Sequence, residues 1–78
     1  MSRYHVKAEW DHEASVWVAS SDDVPGLATG ADTFEALVEK LTVVIPKLLE
    51  ENGLLAKGTI DVPFEITAER SEHAKRVA

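Results

Sequence analysis

The sequence has no cysteine, which removes disulfide staples, thiol nucleophiles and thiolate metal cages from consideration. Aromatic residues are scarce, at 6% of 78 residues. No apolar run approaches the roughly 20 residues that span a bilayer. The opening Met1-Ser2-Arg3-Tyr4-His5 lacks the apolar stretch of a secretory signal, so the cytoplasm is the expected location. Basic side chains are few as well: 8 Lys+Arg stand against 14 Asp+Glu, a net charge of −6. The imbalance is uneven. Residues 1–68 carry five basic and twelve acidic groups, whereas residues 69–78 carry three basic (Arg70, Lys75, Arg76) and two acidic (Glu69, Glu72). An acidic body repels phosphate backbones, which argues against direct nucleic-acid binding. The same surface suits a basic protein partner.

What is present is enough for one small folded domain. The hydrophobic fraction of 45% is ordinary for a folded chain. A chain this short buries only about 60% of the surface its unfolded form exposes. Without disulfides or metals, such domains often complete their burial in a subunit interface, so a homodimer or higher assembly is expected.

Residues 3–10 alternate, with Tyr4, Val6, Ala8 and Trp10 on one side and His5, Lys7 and Glu9 on the other, which is the period of a half-buried strand. A polar connection, Asp11-His12-Glu13-Ala14, leads to a second strand over 15–21, where both sides carry apolar groups. Val24-Pro25-Gly26 reads as a type II turn. Leu27-Ala28-Thr29 reads as a short third strand ending at Gly30. Asp32 and Glu35 have capping-box spacing. The helix that follows sets Phe34, Leu37, Val38, Leu41, Val44, Ile45, Leu48 and Leu49 on one stripe and ends at Asn52-Gly53. Pro46 lies inside it, so a kink or a break into two helices is expected there. Residues 59–68 alternate again, with Ile60, Val62, Phe64, Ile66 and Ala68 inward and Pro63 marking an edge strand or a bulge. Residues 1–70 form the expected domain and 71–78 a flexible tail.

The predicted fold is therefore α+β in the order β-β-β-α-β. It comprises a three-stranded antiparallel meander, one helix, and a fourth strand returned parallel to the first by a right-handed crossover. The sheet order is then 3-2-1-4, with the helix on one face and nothing on the other. Either Val16 and Val18 or Trp17 and Ala19 occupy the open face, depending on hairpin register. Tryptophan favours the buried centres of interfaces, so Trp17 and Ala19 are the expected contacts with a second copy or a partner. The alternative places Trp17 in the core and leaves Val16 at the surface.

Residues suited to catalysis do not fall into a pattern. His5, His12 and His73 lack ligand spacing, so no metal residue is assigned. Ser15, Ser20, Ser21 and Ser71 lack a nucleophile elbow, and Gly26 and Gly30 do not form a phosphate loop. A metal-dependent nuclease of the ribonuclease H type would draw on Glu9 or Asp11, Glu39 and Asp61. Solvated acids on polar faces explain the same residues more simply. No catalytic residue and no cofactor is expected, and the chain is read as a non-enzyme.

Trp10-Asp11, Val16-Trp17-Val18-Ala19, Ser21-Asp22-Asp23-Val24-Pro25-Gly26-Leu27, Asp32-Thr33-Phe34-Glu35-Ala36-Leu37 and Pro46-Lys47-Leu48-Leu49-Glu50-Glu51-Asn52-Gly53 together resemble a small bacterial domain of unknown function related to the HicB-like antitoxins. The resemblance covers about two-thirds of the chain in continuous order. It implies a partial ribonuclease H-like fold without the nuclease acids, dimers or higher assemblies, and neutralisation of a small basic toxin that degrades mRNA. HicB antitoxins usually carry a further DNA-binding segment, whereas only a short stretch follows Ala68. A solitary homo-oligomeric structural or ligand-binding domain with no toxin is the remaining alternative.

Overall fold

The computed structural model describes residues 3–77. Its elements are β1 (Tyr4–Asp11), β2 (Val16–Ser20), β3 (Thr29–Ala31), α1 (Phe34–Glu51) and β4 (Phe64–Glu69). They build one four-stranded sheet in the order β3-β2-β1-β4. β1 pairs antiparallel with β2 and parallel with β4, and β2 pairs antiparallel with β3. The expected α+β architecture is the one observed.

Local chemistry explains each turn. Asp11 Oδ1 accepts hydrogen bonds from the amides of Glu13 and Ala14 (2.9 and 3.2 Å), so the aspartate folds the hairpin loop onto itself. Ser15 closes that loop with φ 55°. The Leu27 amide bonds the Val24 carbonyl at 3.2 Å across Pro25-Gly26, and Gly26 has φ 82°, as a type II turn requires. Past Ser20 the β1–β2 ladder stops, and side chains replace it. Asp23 Oδ2 accepts the His5 amide at 2.8 Å, and Ser21 Oγ donates to the His5 carbonyl. The Ser21-Asp22-Asp23 stretch thus satisfies backbone groups that a longer β2 would have paired.

The helix opens one residue later than the capping box implied. Thr33, not Asp32, has the extended cap backbone, and its Oγ1 accepts the Ala36 amide at 3.1 Å. The helix runs through Pro46 as a single element, so the alternative of a break into two helices does not occur. Its end is a Schellman arrangement, in which Leu54 N–H bonds Leu49 O (2.8 Å) and Gly53 N–H bonds Glu50 O (3.0 Å). Leu37, Leu41, Ile45 and Leu49 form a fully buried i, i+4 row. That row packs with Val6, Ala8 and Ala19 of the sheet and with Val24 and Leu27 of the β2–β3 connection.

The fourth strand is shorter than its alternation suggested. The parallel register begins at Tyr4↔Phe64, and β1 begins at Tyr4, so residues before Phe64 have no strand to pair with. Only the Tyr4 amide reaches back, to the Pro63 carbonyl at 3.4 Å. Val62 still packs at the core margin, but Ile60, expected inward, is 98% exposed.

Replacing Leu41 with alanine should lower unfolding stability by about 2–5 kcal/mol, through lost burial and an unfilled cavity. Gly26→Ala should cost about 1 kcal/mol because alanine resists positive φ. Urea denaturation with a two-state fit measures both.

Candidate functional site

The helix covers one sheet face, and the other is open. The β1–β2 register pairs Trp10 with Trp17 and Ala8 with Ala19. Directly opposed residues share a face, and Ala8 is buried under the helix. Ala19, at 1% exposure, therefore lies in the core, and Trp17 packs on the helix side. This corrects the expectation that Trp17 and Ala19 form the open-face contacts. Val16 and Val18 occupy that face instead, with Val18 40% exposed.

The open face is a mixed surface. β1 contributes His5, Lys7, Glu9 and Asp11, and β4 contributes Glu65, Thr67 and Glu69. Lys7 Nζ lies 3.4 Å from Glu9 and 3.7 Å from Glu69. Glu69 first, and then Glu9, holds the Lys7 ammonium above the ordinary lysine range. His5 Nδ1 lies 3.3 Å from Glu65. Beside these rows, Val18 is paired with Gly30 of β3. A β-carbon at Gly30 would come within 2.9 Å of the Trp17 carbonyl, so only glycine fits there. The result is a small aliphatic spot, Val16 and Val18, next to a predominantly acidic field.

Under the sheet, the aromatics form a column. Trp17 lies edge-on between Trp10 and Phe34, with centroids 5.5 Å apart on each side. Such edge contacts add about 0.5–1.5 kcal/mol each beyond burial. The column continues outward, because Arg70 stacks over the Trp10 ring at 4.1 Å. His12 meets the same ring edge-on, and its Nε2 lies 2.8 Å from the Ser71 carbonyl. Arg70 also binds Glu72, holding that carboxyl below its ordinary range. Trp10 and His12 thus anchor the start of the segment after β4, a role that residue spacing did not suggest.

The acids that a nuclease would need do not converge. Glu9 and Asp11 point from the open face, Glu39 lies on the helix across the sheet, and Asp61 lies in the loop before β4. Among the described residues no cluster of three His, Asp or Glu side chains could hold a metal ion. His5, His12 and His73 lie in β1, in the hairpin loop and beyond β4. A groove of about 500 Å³ runs between the helix and the 59–64 segment, lined among others by Thr42, Pro46, Leu55, Ile60 and Phe64.

Trp17→Ala should destabilise the fold by about 2–4 kcal/mol, since it removes the middle of the aromatic column. Val18→Ala should change stability by under about 0.5 kcal/mol. Thermal unfolding followed by tryptophan fluorescence and circular dichroism separates the two.

No curated protein sequence matches the chain. A solved structure is similar: a hypothetical protein from the extremely thermophilic bacterium Thermus thermophilus, with 48% sequence identity and a TM-score of 0.70. The alignment covers 96% of this chain and 100% of that one. That likeness extends beyond the sheet and helix to almost the whole sequence. A family model described as "Domain of unknown function (DUF1902)" matches residues 3–78, and the chain belongs to that family.

Proposed function

We propose that this chain is a non-catalytic protein–protein interaction module that self-associates and presents its open sheet face to a basic partner. The observation that carries the reading is surface area. The chain exposes 5974 Å², whereas a compact monomer of 8.5 kDa exposes about 4700 Å². The excess, roughly 1300 Å², exceeds the ~800 Å² that each partner buries in a standard interface.

Charge supports the second half of the reading. Glu9 and Asp11 stand opposite Val18 and Val16, Glu65 and Glu69 lie on the next strand beyond them, and only Lys7 offers a fixed positive charge on that face. A cationic partner with a small apolar contact is complementary to that field. The resemblance of the turn and helix-opening motifs to HicB-like antitoxins gives this partner a class, a small basic toxin acting on RNA.

Light scattering at micromolar concentration should give at least twice the 8.5 kDa chain mass, and the single-chain mass would contradict self-association. Purification from the native cell should recover a small basic protein encoded beside this one. The variant Glu9→Lys should lose that protein while keeping the self-associated mass. If the wild type yields only itself and no such neighbour is encoded, the toxin assignment fails.

A further inference from the structure

The segment after β4 is the least accounted-for part of the fold. Every described residue from 67 to 77 is exposed, and none of the described residues after Glu69 has regular structure. The root is fixed by Arg70 on Trp10 and by the Ser71 carbonyl on His12. Beyond Glu72, the described residues make no hydrogen bond or ion pair with the rest of the chain. The molecule is 62 Å long with a radius of gyration of 15.1 Å, against about 11.5 Å for a compact chain of this length. An arm held at its base therefore projects from a small body. Both the family match and the similar thermophile structure extend over this stretch rather than stopping at β4.

The outer edge of β4 is open in the same way. β4 is the last strand in the sheet order, so alternate residues along its six carry outward-facing backbone groups with no strand beside them. Long exposed edges of this kind are templates for another strand. The opposite edge is less available, because β3 has three residues and the Lys40 ammonium already binds the Gly30 carbonyl at 2.6 Å.

We propose that residues 70–77 of one copy pair antiparallel along the outer edge of β4 in a second copy, and that the exchange is reciprocal. This rests on the reading of the chain as a self-associating module and names the surface it uses. Three features fit. The arm continues β4, so a two-fold axis near residues 70–71 lays each arm along the other's strand without threading. The lengths match, about 26 Å for the eight arm residues if extended and about 20 Å for β4. Chemistry matches in the same orientation. The arm carries Arg70, Lys75 and Arg76 against one acid, Glu72, while β4 carries Glu65 and Glu69. Its far end would bring Arg76 opposite Glu65 and Val77, 92% exposed, opposite Phe64. An apolar side chain left in water by one chain would be covered in the pair.

Sedimentation equilibrium on the full chain tests the exchange. Wild type should form a dimer. Lys75→Glu with Arg76→Glu should weaken it by about tenfold or more, and adding Glu65→Lys should recover most of the loss. Ala74→Pro, which removes a backbone donor where the chain makes no internal bond, should weaken the dimer while leaving circular dichroism unchanged. A wild-type dimer indifferent to all these variants would overturn the arm exchange and leave self-association standing. A wild-type monomer at every concentration would overturn both.

Discussion

The pairing of Trp10 with Trp17 across the β1–β2 hairpin decides how the rest of the chain is arranged. Asp11 folds the four-residue loop, which sets Asp11 opposite Val16 and therefore Trp10 opposite Trp17. A slip of one residue would send every β2 side chain to the other face. In the observed register Ala19 joins Ala8 in the core, Phe34 extends the aromatic column to the start of the helix, and Val16 and Val18 are left outside. Trp10 then presents its far side to Arg70, so the same pair also sets where the chain leaves β4.

From that register follows an imbalance that a single helix cannot correct. One row of Leu37, Leu41, Ile45 and Leu49 seals one sheet face. The other face relies on charge: Lys7 sits between Glu9 and Glu69, and His5 beside Glu65. Exposed pairs of this sort contribute little to stability. They leave an acidic field with an aliphatic spot. The outer edge of β4 and the basic arm beyond it are a second unfinished surface. In the proposed assembly the edge serves a second copy and the face serves a different, basic partner.

Much of the fold was legible in the sequence because local signals and hydrophobic period agreed. The turn at Val24-Pro25-Gly26, the helix and its Asn52-Gly53 end, and the parallel return of β4 each had a mechanism visible in residue types. The face of β2 was not legible, because Val16, Trp17, Val18 and Ala19 are apolar on both sides and only loop geometry breaks the tie. The hairpin itself held the missing clue, since a loop of four residues between Asp11 and Val16 makes the two tryptophans partners. Ile60 and Val62 kept the period of β4 going past Pro63, yet β1 has no residues in the ladder to receive them. Asp32 and Thr33 are both good caps, and the choice fell to Thr33 one residue later. The anchoring of residues 70–72 on Trp10 and His12 depends on contacts about 60 residues apart, which no local pattern records.

Completion of the sheet by a second copy along β4 is the step on which the proposed assembly turns. Amide hydrogen exchange followed over a dilution series addresses it directly. If the copies pair there, the arm amides of residues 73–77 and the outward amides of β4 are protected at high concentration and lose protection together on dilution, while the amides of α1 and of the β1–β2 ladder stay protected. Arm amides that exchange at the rate of an unstructured chain at every concentration would contradict it.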